Sequence, residues 1–229
     1  MKKLTYLLLS ALIPFLMTGC STTPVRTLQD VYPGMYSQKP VSILILPPVN
    51  NSTAAEAKEY FACSLAEAIG LKGYYPMPVE AMYTILRDEG LYETETMDPV
   101  ILNNMKKYFG ADAVLYTTIE KWDKVWFLLA GSLTIDVKYA LISTETAEVL
   151  WDFATTTRVS LGSSSSNLLV AAVESAVKTA VEDFFPNARQ TNILTFEKTM
   201  PLGNYHPNVG LDAANTANAD KKGVFNISK

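Results

Sequence analysis

The apolar positions of this chain fall into three rhythms, and each predicts a different kind of element. Val41-Ser42-Ile43-Leu44-Ile45-Leu46 is almost continuously apolar and β-prone, the pattern of a strand covered on both faces, and Pro47-Pro48 stops it. A helical rhythm follows, with Ala57, Tyr60, Phe61, Ser64, Leu65, Ala68 and Ile69 on one face. Thr53 and Glu56 stand in capping-box relation ahead of it, and Gly70 and Gly73 are placed to end it. Tyr74-Tyr75-Pro76-Met77 reads as a short strand, kept toward a sheet edge by its proline. Two short helices come next. Glu80 to Asp88 buries Met82, Ile85 and Leu86; the second, capped by Asp98 with Pro99 at its first position, buries Ile101, Leu102, Met105, Tyr108 and Phe109.

The period then changes to two. Ala113 to Lys121 is β-branched and apolar, and in Ser132 to Ile142 the side chains of Leu133, Ile135, Val137, Tyr139 and Leu141 alternate with Thr134, Asp136 and Lys138. A polar turn over Ser143 to Glu148 leads into Val149 to Thr157, with Val149, Trp151 and Phe153 on one face, so the three segments predict an antiparallel meander. After the polar break Gly162 to Ser166, Leu169, Val173, Ala176, Val177, Ala180, Val181 and Phe184 predict a helix over Asn167 to Phe185. From Pro186 the periodicity fades. Residues 187–229 are expected to be extended, the first part wrapping the domain and the last part loose. Residues 41–186 thus form the globular domain, an α/β fold: a mixed-sheet α/β sandwich of two or three layers.

The start of the chain gives its address. Lys2 and Lys3 precede an apolar run, Leu4 to Met17, which small residues and a thiol close at Thr18-Gly19-Cys20. That order predicts a signal peptide over residues 1–19, too short to span the roughly 20 apolar residues of a bilayer core. Leu16-Met17-Thr18-Gly19-Cys20 resembles a bacterial lipobox, with Met17 where Leu is usual. The resemblance implies a diacylglyceryl group on the Cys20 sulfur and a third acyl chain on its amine. At about 0.8 kcal/mol per buried methylene, three chains anchor a protein firmly. Ser21, in place of the Asp that retains lipoproteins at the inner membrane, implies the outer one. Residues 20–40, with Pro24, Pro33, Gly34 and Pro40, read as the lipidated cysteine and a tether, the latter about 65 Å at full stretch.

Composition narrows the chemistry. With 48% hydrophobic and 18% charged residues the body is folded. The formal charge of −4 becomes two units more negative once Lys2 and Lys3 leave with the signal. An acidic chain without a basic cluster is not a nucleic-acid binder, nor does it bind anionic lipid by charge. Of two cysteines, Cys63 has no intramolecular partner if Cys20 is acylated, and reads as a small buried apolar residue. His206 is the only histidine, which rules out a zinc site of several imidazoles. No nucleophile motif accompanies it, so a packing role is expected. Glu93, Glu95 and Asp98 are explained as acids at a helix start. Gly162 is followed by serines without a lysine, so it begins no phosphate loop. No catalysis, metal or cofactor is expected.

One stretch departs from the alternation. Trp122, Val125, Trp126, Phe127, Leu128 and Leu129 lie between two strands, where a polar turn would be usual. Two readings stay open. In one the strands continue around an Asp123-Lys124 turn and bury these side chains. In the other they form an exposed apolar hairpin tip that touches a partner or lipid. They are the candidate partner-contact residues.

The segments SILILPPVNNST (42–53), GADAVLYTTIEKW (110–122) and YALISTETAEVLW (139–151) resemble periplasmic lipoproteins related to the curli secretion lipoprotein. That group includes the activator lipoprotein of penicillin-binding proteins, and its fold is similar to the amino-terminal domain of the Tol translocation protein. MPLGNYHP (200–207) adds a resemblance to a narrower family of bacterial lipoproteins of unknown function that includes a neisserial surface-antigen candidate. The resemblance covers most of Val41 to Pro207. It implies a non-enzymatic, periplasm-facing outer-membrane lipoprotein, anchored through acyl chains on Cys20. It further implies self-association as a dimer or larger oligomer, with other envelope lipoproteins as partners, in an assembly or adaptor role. The alternative is a subunit of an oligomeric outer-membrane secretion pore. A membrane-spanning strand needs about 9–11 residues of alternating character, whereas the apolar residues of this hairpin cluster. A third possibility, a ligand-binding or enzymatic domain, requires a polar pocket with convergent charges, and no sequence pattern announces one.

Overall fold

The continuous apolar run becomes β1 (Ser42–Ile45), and its side chains divide between two cores, which is why no polar position interrupts it. Ile43 and Ile45 enter the larger core; Leu44 and Leu46 enter the smaller one on the opposite face. This computed structural model describes residues 26–90, 94, 100–127, 130–162 and 183–228.

Among the described residues seven strands form one mixed sheet. Its order is β3 (Tyr75–Pro76), β1, β4 (Ala113–Phe127), β5 (Ala130–Ser143), β6 (Val149–Gly162) and β7 (Lys222–Ser228). β2 (Val49–Asn50) pairs with β4 further along the side that β1 occupies. The meander β4-β5-β6 is antiparallel, and β1, β2, β3 and β7 join in parallel. Each predicted strand of the meander is present and longer than its alternating stretch. The mixed-sheet α/β architecture is therefore the one expected.

Two bulges keep the long strands in phase with the core. Between Ile119 and Lys121 the register of β4 shifts by one residue. Glu120 is the extra residue, so Trp122, rather than Lys121, takes the next inward position and is 2% exposed. In β6 the pairs Leu141–Trp151 and Ile142–Val149 leave Leu150 extra. Leu150 is buried, while Val149, expected to face inward with Trp151, is exposed.

The inner face of the sheet packs on α3 (Ala57–Leu71), α6 (Phe185–Thr199), α1 (Leu28–Val31) and α2 (Pro33–Gln38). Among the described residues the opposite face is covered by α4 (Val79–Asp88) and α5 (Val100–Phe109) along β1, the first part of β4 and the end of β5 at Ile142. Beyond that the outer face is polar. Lys138, Arg158, Ser160 and Asn226 are exposed there. Asp112 ties the first strands together: its carboxylate accepts the Val41 and Ser42 amides at 3.0 Å each, the Ser42 hydroxyl, and the Lys106 ammonium.

Several expectations need correction. Part of the expected tether is folded: α1 and α2 bring Leu28, Tyr32 and Met35 into the main core, and Thr27 with Asp30 forms a reciprocal capping box. The Thr53/Glu56 box does not form. Helix α3 starts at Ala57 without a side-chain cap, and Asn50 and Ser52 organise the loop before it. Cys63 is exposed, not buried, because it lies about 200° around the helix from Phe61. Ile85 and Tyr108 also face outward.

The largest difference is at the carboxyl-terminal end. Residues 185–199 form a helix on the core and 222–228 form a strand, so the segment after Pro186 is neither simply extended nor loose. The buried face of α6 is Asn187, Ala188, Thr191, Asn192, Thr195, Phe196 and Thr199. Thr191, Thr195 and Thr199 each donate to the carbonyl four residues back at 2.7–2.8 Å. Their hydroxyls are thereby satisfied within the helix. The predicted helix over Asn167 to Phe185, the serine run before it and the Glu93/Glu95/Asp98 group lie largely outside the described residues.

Candidate functional site

Two features stand apart from the packing of the core: the distal half of the β4–β5 hairpin and a cavity under the carboxyl-terminal segment.

The first is built by strand length. β1 pairs with β4 over Ala113 to Leu115 and β2 over Thr118 and Ile119. Past Ile119, β4 runs on to Phe127 with β5 on one side and, among the described residues, no strand on the other. An edge without a partner strand presents backbone donors and acceptors that an added strand can meet. Beside it runs a groove of about 490 Å³ whose walls include Thr53, Glu56, Trp122, Lys124 and Val125.

The candidate contact residues do not act as one group. Trp122 belongs to the core, edge-on to Phe61 at 6.2 Å and tilted against Tyr60 at 6.0 Å. Val125 is 58% exposed, beside the exposed Asp123. Lys124 lies between them in position, its ammonium 4.0 Å from the centre of the Phe184 ring and 3.5 Å from Glu56. Trp126 and Phe127 are in strand conformation, so the chain does not turn at Asp123-Lys124. Cys20, Leu128 and Leu129 lie outside the described residues. Among the described residues no helix is long and apolar enough to cross a membrane, and no group of three His, Cys, Asp or Glu side chains could hold a metal.

The second feature was not legible as a site. The loop after α6 crosses the end of α3 in close backbone contact. The Gly203 amide donates to the Lys72 carbonyl at 2.8 Å and the Tyr205 amide to the Gly73 carbonyl at 2.9 Å. Gly73 has φ of +82°, and a Cβ there would meet the His206 backbone nitrogen at 2.4 Å. A Cβ on Gly203 would meet the Gly73 oxygen at the same distance. Two glycines thus permit the crossing.

Under it lies a cavity of about 620 Å³ between α3, α6 and the loop, lined in part by Lys72, Glu197, His206 and Asp212. Lys72 is 7% exposed and donates to the Glu197 carbonyl at 3.3 Å. Burial lowers its pKa, against the opposing pull of Asp212 and Glu197. Asp212 is 5% exposed; its Oδ2 accepts the Leu202 amide at 2.7 Å and the Tyr36 hydroxyl at 3.2 Å, while Oδ1 is buried without a partner. The half-buried His206 accepts the Asn208 amide at Nδ1. These residues come from α3, α6 and the loop, and no sequence spacing joins them.

The mixed sheet with helices on both faces defines an α/β domain, and its sequence assigns the family. The chain matches the family described as "Putative lipoprotein GNA1162-like" over residues 31–206 and belongs to it. It is 28% identical over 146 residues to the Neisseria meningitidis serogroup B protein "Putative lipoprotein NMB1124/NMB1162", a match covering 64% of this chain and 68% of that protein. Among solved structures it is similar to lipoprotein GNA1162 from Neisseria meningitidis, with 26% identity, a TM-score of 0.49, and coverage of 61% of this chain and 99% of that one. It is also similar to the PelC dodecamer from Paraburkholderia phytofirmans, with 16% identity, a TM-score of 0.36, and coverage of 68% and 86%. The family expected from the SILILPPVNNST, GADAVLYTTIEKW, YALISTETAEVLW and MPLGNYHP segments is the family found.

Proposed function

We propose that this chain is a non-enzymatic envelope lipoprotein, held at the periplasmic face of the outer membrane by acyl chains on Cys20, that joins protein complexes through the distal half of its β4–β5 hairpin. The observation that carries the reading is the β4 edge beyond Ile119, unpaired among the described residues and flanked by the exposed Val125. An extended segment of a second copy, or of another envelope lipoprotein, adds to such an edge through backbone hydrogen bonds, with neighbouring side chains setting the choice of partner. Membership of a lipoprotein family supports the anchor.

The test is extraction of the full chain from its native membrane in mild detergent, with the mass of the complex and its co-purifying proteins measured. Val125→Glu should lower that mass and leave the melting temperature within about 2 °C, because an exposed substitution typically changes stability by under about 0.5 kcal/mol. Cys20→Ala should move the protein to the soluble fraction. An unaltered complex in Val125→Glu would remove the hairpin from the interface, and membrane retention of Cys20→Ala would remove the anchor. A large ring of this chain alone would favour the secretion-pore alternative.

A further inference from the structure

We propose that the loop after α6, from Asn204 to Leu211, is a membrane-contact surface, whose exposed apolar side chains enter the headgroup region of the bilayer that holds the acyl chains. The inference rests on acylation of Cys20 and adds which end of the body lies against the lipid.

Chain length is the first constraint. Because α1 and α2 are folded onto the core, the reach from Cys20 to the body is shorter than the sequence alone implies. Only Ser21 to Val25 stand between Cys20 and Arg26, the first described residue. At about 3.6 Å per residue, that stretch spans at most about 22 Å. An acylated Cys20 therefore keeps Arg26 close to the membrane. The loop is bonded to the same place. The Ala217 amide donates to the Arg26 carbonyl at 2.8 Å, Leu28 to the Asn215 carbonyl at 2.8 Å and Gln29 to the Ala213 carbonyl at 3.2 Å, while Thr27 bridges Thr216. Leu211 follows Ala213 closely in the chain.

The loop's composition suits lipid. From Thr199 to Ala219 the sequence holds no Lys, Arg or Glu and one Asp, Asp212, which is buried. What the loop exposes instead is Tyr205, at 70%, Val209, and Leu211, at 75%; Leu71 is exposed at the adjoining end of α3. Apolar side chains on an uncharged surface gain by leaving water for the boundary between headgroups and acyl chains. The exposed charges around the loop are of both signs, Arg26 and Lys39 with Asp30 and Glu197, so the contact does not depend on anionic lipid.

The two long helices fix what faces the other way. α3 begins beside the hairpin, where Glu56 pairs with Lys124 at 3.5 Å, and ends where the Lys72 and Gly73 carbonyls accept the Gly203 and Tyr205 amides. α6 likewise runs from Phe184, under the Lys124 ammonium, to Met200 at the start of the loop. At 1.5 Å per residue, the fifteen residues of α3 put about 22 Å between the two ends. A body resting on its loop thus turns the distal β4–β5 hairpin away from the bilayer.

The experiment attaches a fluorophore at Leu211→Cys, Val209→Cys or Val125→Cys, each combined with Cys63→Ser, in the full acylated chain. The protein is reconstituted in vesicles of phosphatidylethanolamine and phosphatidylglycerol that carry a spin-labelled lipid as quencher. Interfacial side chains sit about 5–10 Å into the headgroup and acyl boundary, so quenching at the first two positions should exceed that at Val125→Cys about twofold or more. Raised salt should leave the difference in place. Adding Leu211→Glu should remove the excess quenching of the Val209→Cys label. Flotation of the vesicles reads the anchor separately. Protein that fails to float would remove the anchor and this surface with it. Floating protein with equal quenching at all three positions would overturn the membrane contact and leave the anchor standing. A Leu211→Cys label shielded from aqueous quencher in native membranes, but not in these vesicles, would give the face to a protein partner and overturn the contact as well.

Discussion

Asn192 connects a strand and two helices through one side chain. Its Oδ1 accepts the Tyr139 hydroxyl at 2.7 Å, and its Nδ2 donates to Ser64 Oγ at 2.8 Å, which in turn donates to the carbonyls of Tyr60 and Phe61. All three residues are almost fully buried, so the hydroxyl of Tyr139 has no water to turn to. Asn192→Leu should cost about 1–3 kcal/mol in denaturant unfolding, chiefly the penalty of stranding that hydroxyl. Adding Tyr139→Phe should recover part of it, and a double-mutant cycle with no coupling would deny the bridge. Asp112 makes a pH-dependent contribution. Burial works to raise its pKa, but Lys106 and the Ser42 and Val41 donors prevail and hold it at about 2, below the ordinary 3.8. A carboxylate whose pKa is lower folded than unfolded stabilises the fold fully above its unfolded value, and that share is lost as pH falls. The loss runs from about pH 4 down through about 2. Denaturant unfolding at stepped pH should therefore show Asp112→Asn less stable than the unaltered chain at neutral pH, with the gap narrowing across that window. A constant gap would mean that the carboxylate charge is not what holds the first strands.

At the scale of elements, what could be read from sequence depended on whether burial was apolar. The meander was plain because Leu133, Ile135, Val137, Tyr139 and Leu141 are all inward and all apolar. α3 was plain for the same reason. α6 was not, because the residues it buries are mostly threonine and asparagine: the threonine hydroxyls bond within the helix, and Asn192 bonds to Tyr139 and Ser64. A buried face made of such residues leaves no hydrophobic period to find. The pairing of threonines at four-residue intervals, 191, 195 and 199, was the signal available. The bulges were hidden differently. Alternation counted straight through Glu120 would send Lys121 inward, and only the pairing register reveals that Trp122 takes its place. That one residue decides why the apolar hairpin is part core and part surface. The cavity was illegible for a third reason: Lys72 and Asp212 are far apart in the chain, and what joins them is the close crossing of Gly73 and Gly203. MPLGNYHP marked the place through resemblance, without saying what the crossing encloses.

The molecule as a whole has a problem of edges. A sheet with long strands must end somewhere, and unpaired backbone at its margins invites unintended pairing. On one side β3 ends the sheet with two residues, one of them Pro76, which cannot donate. On the other side β6 is fourteen residues long and would be an open template if it stood last. β7 covers it from Ala154 to Ser160, placing Ile227 in the core and Phe225 under the Lys198 ammonium at 5.1 Å. The strand is thus a guard as well as an addition to the core. Ending the chain after Asp220 should lower the melting temperature through the loss of that packing. It should also shift the protein to larger species in size-exclusion chromatography as β6 edges pair. These two effects separate the roles. A lower melting temperature without larger species would make β7 a packing element only, and larger species that Val125→Glu abolishes would trace association to the hairpin edge instead. If both effects appear and the larger species survive Val125→Glu, the association runs through the uncovered β6 edge, and the sheet closes that margin with its own carboxyl-terminal strand.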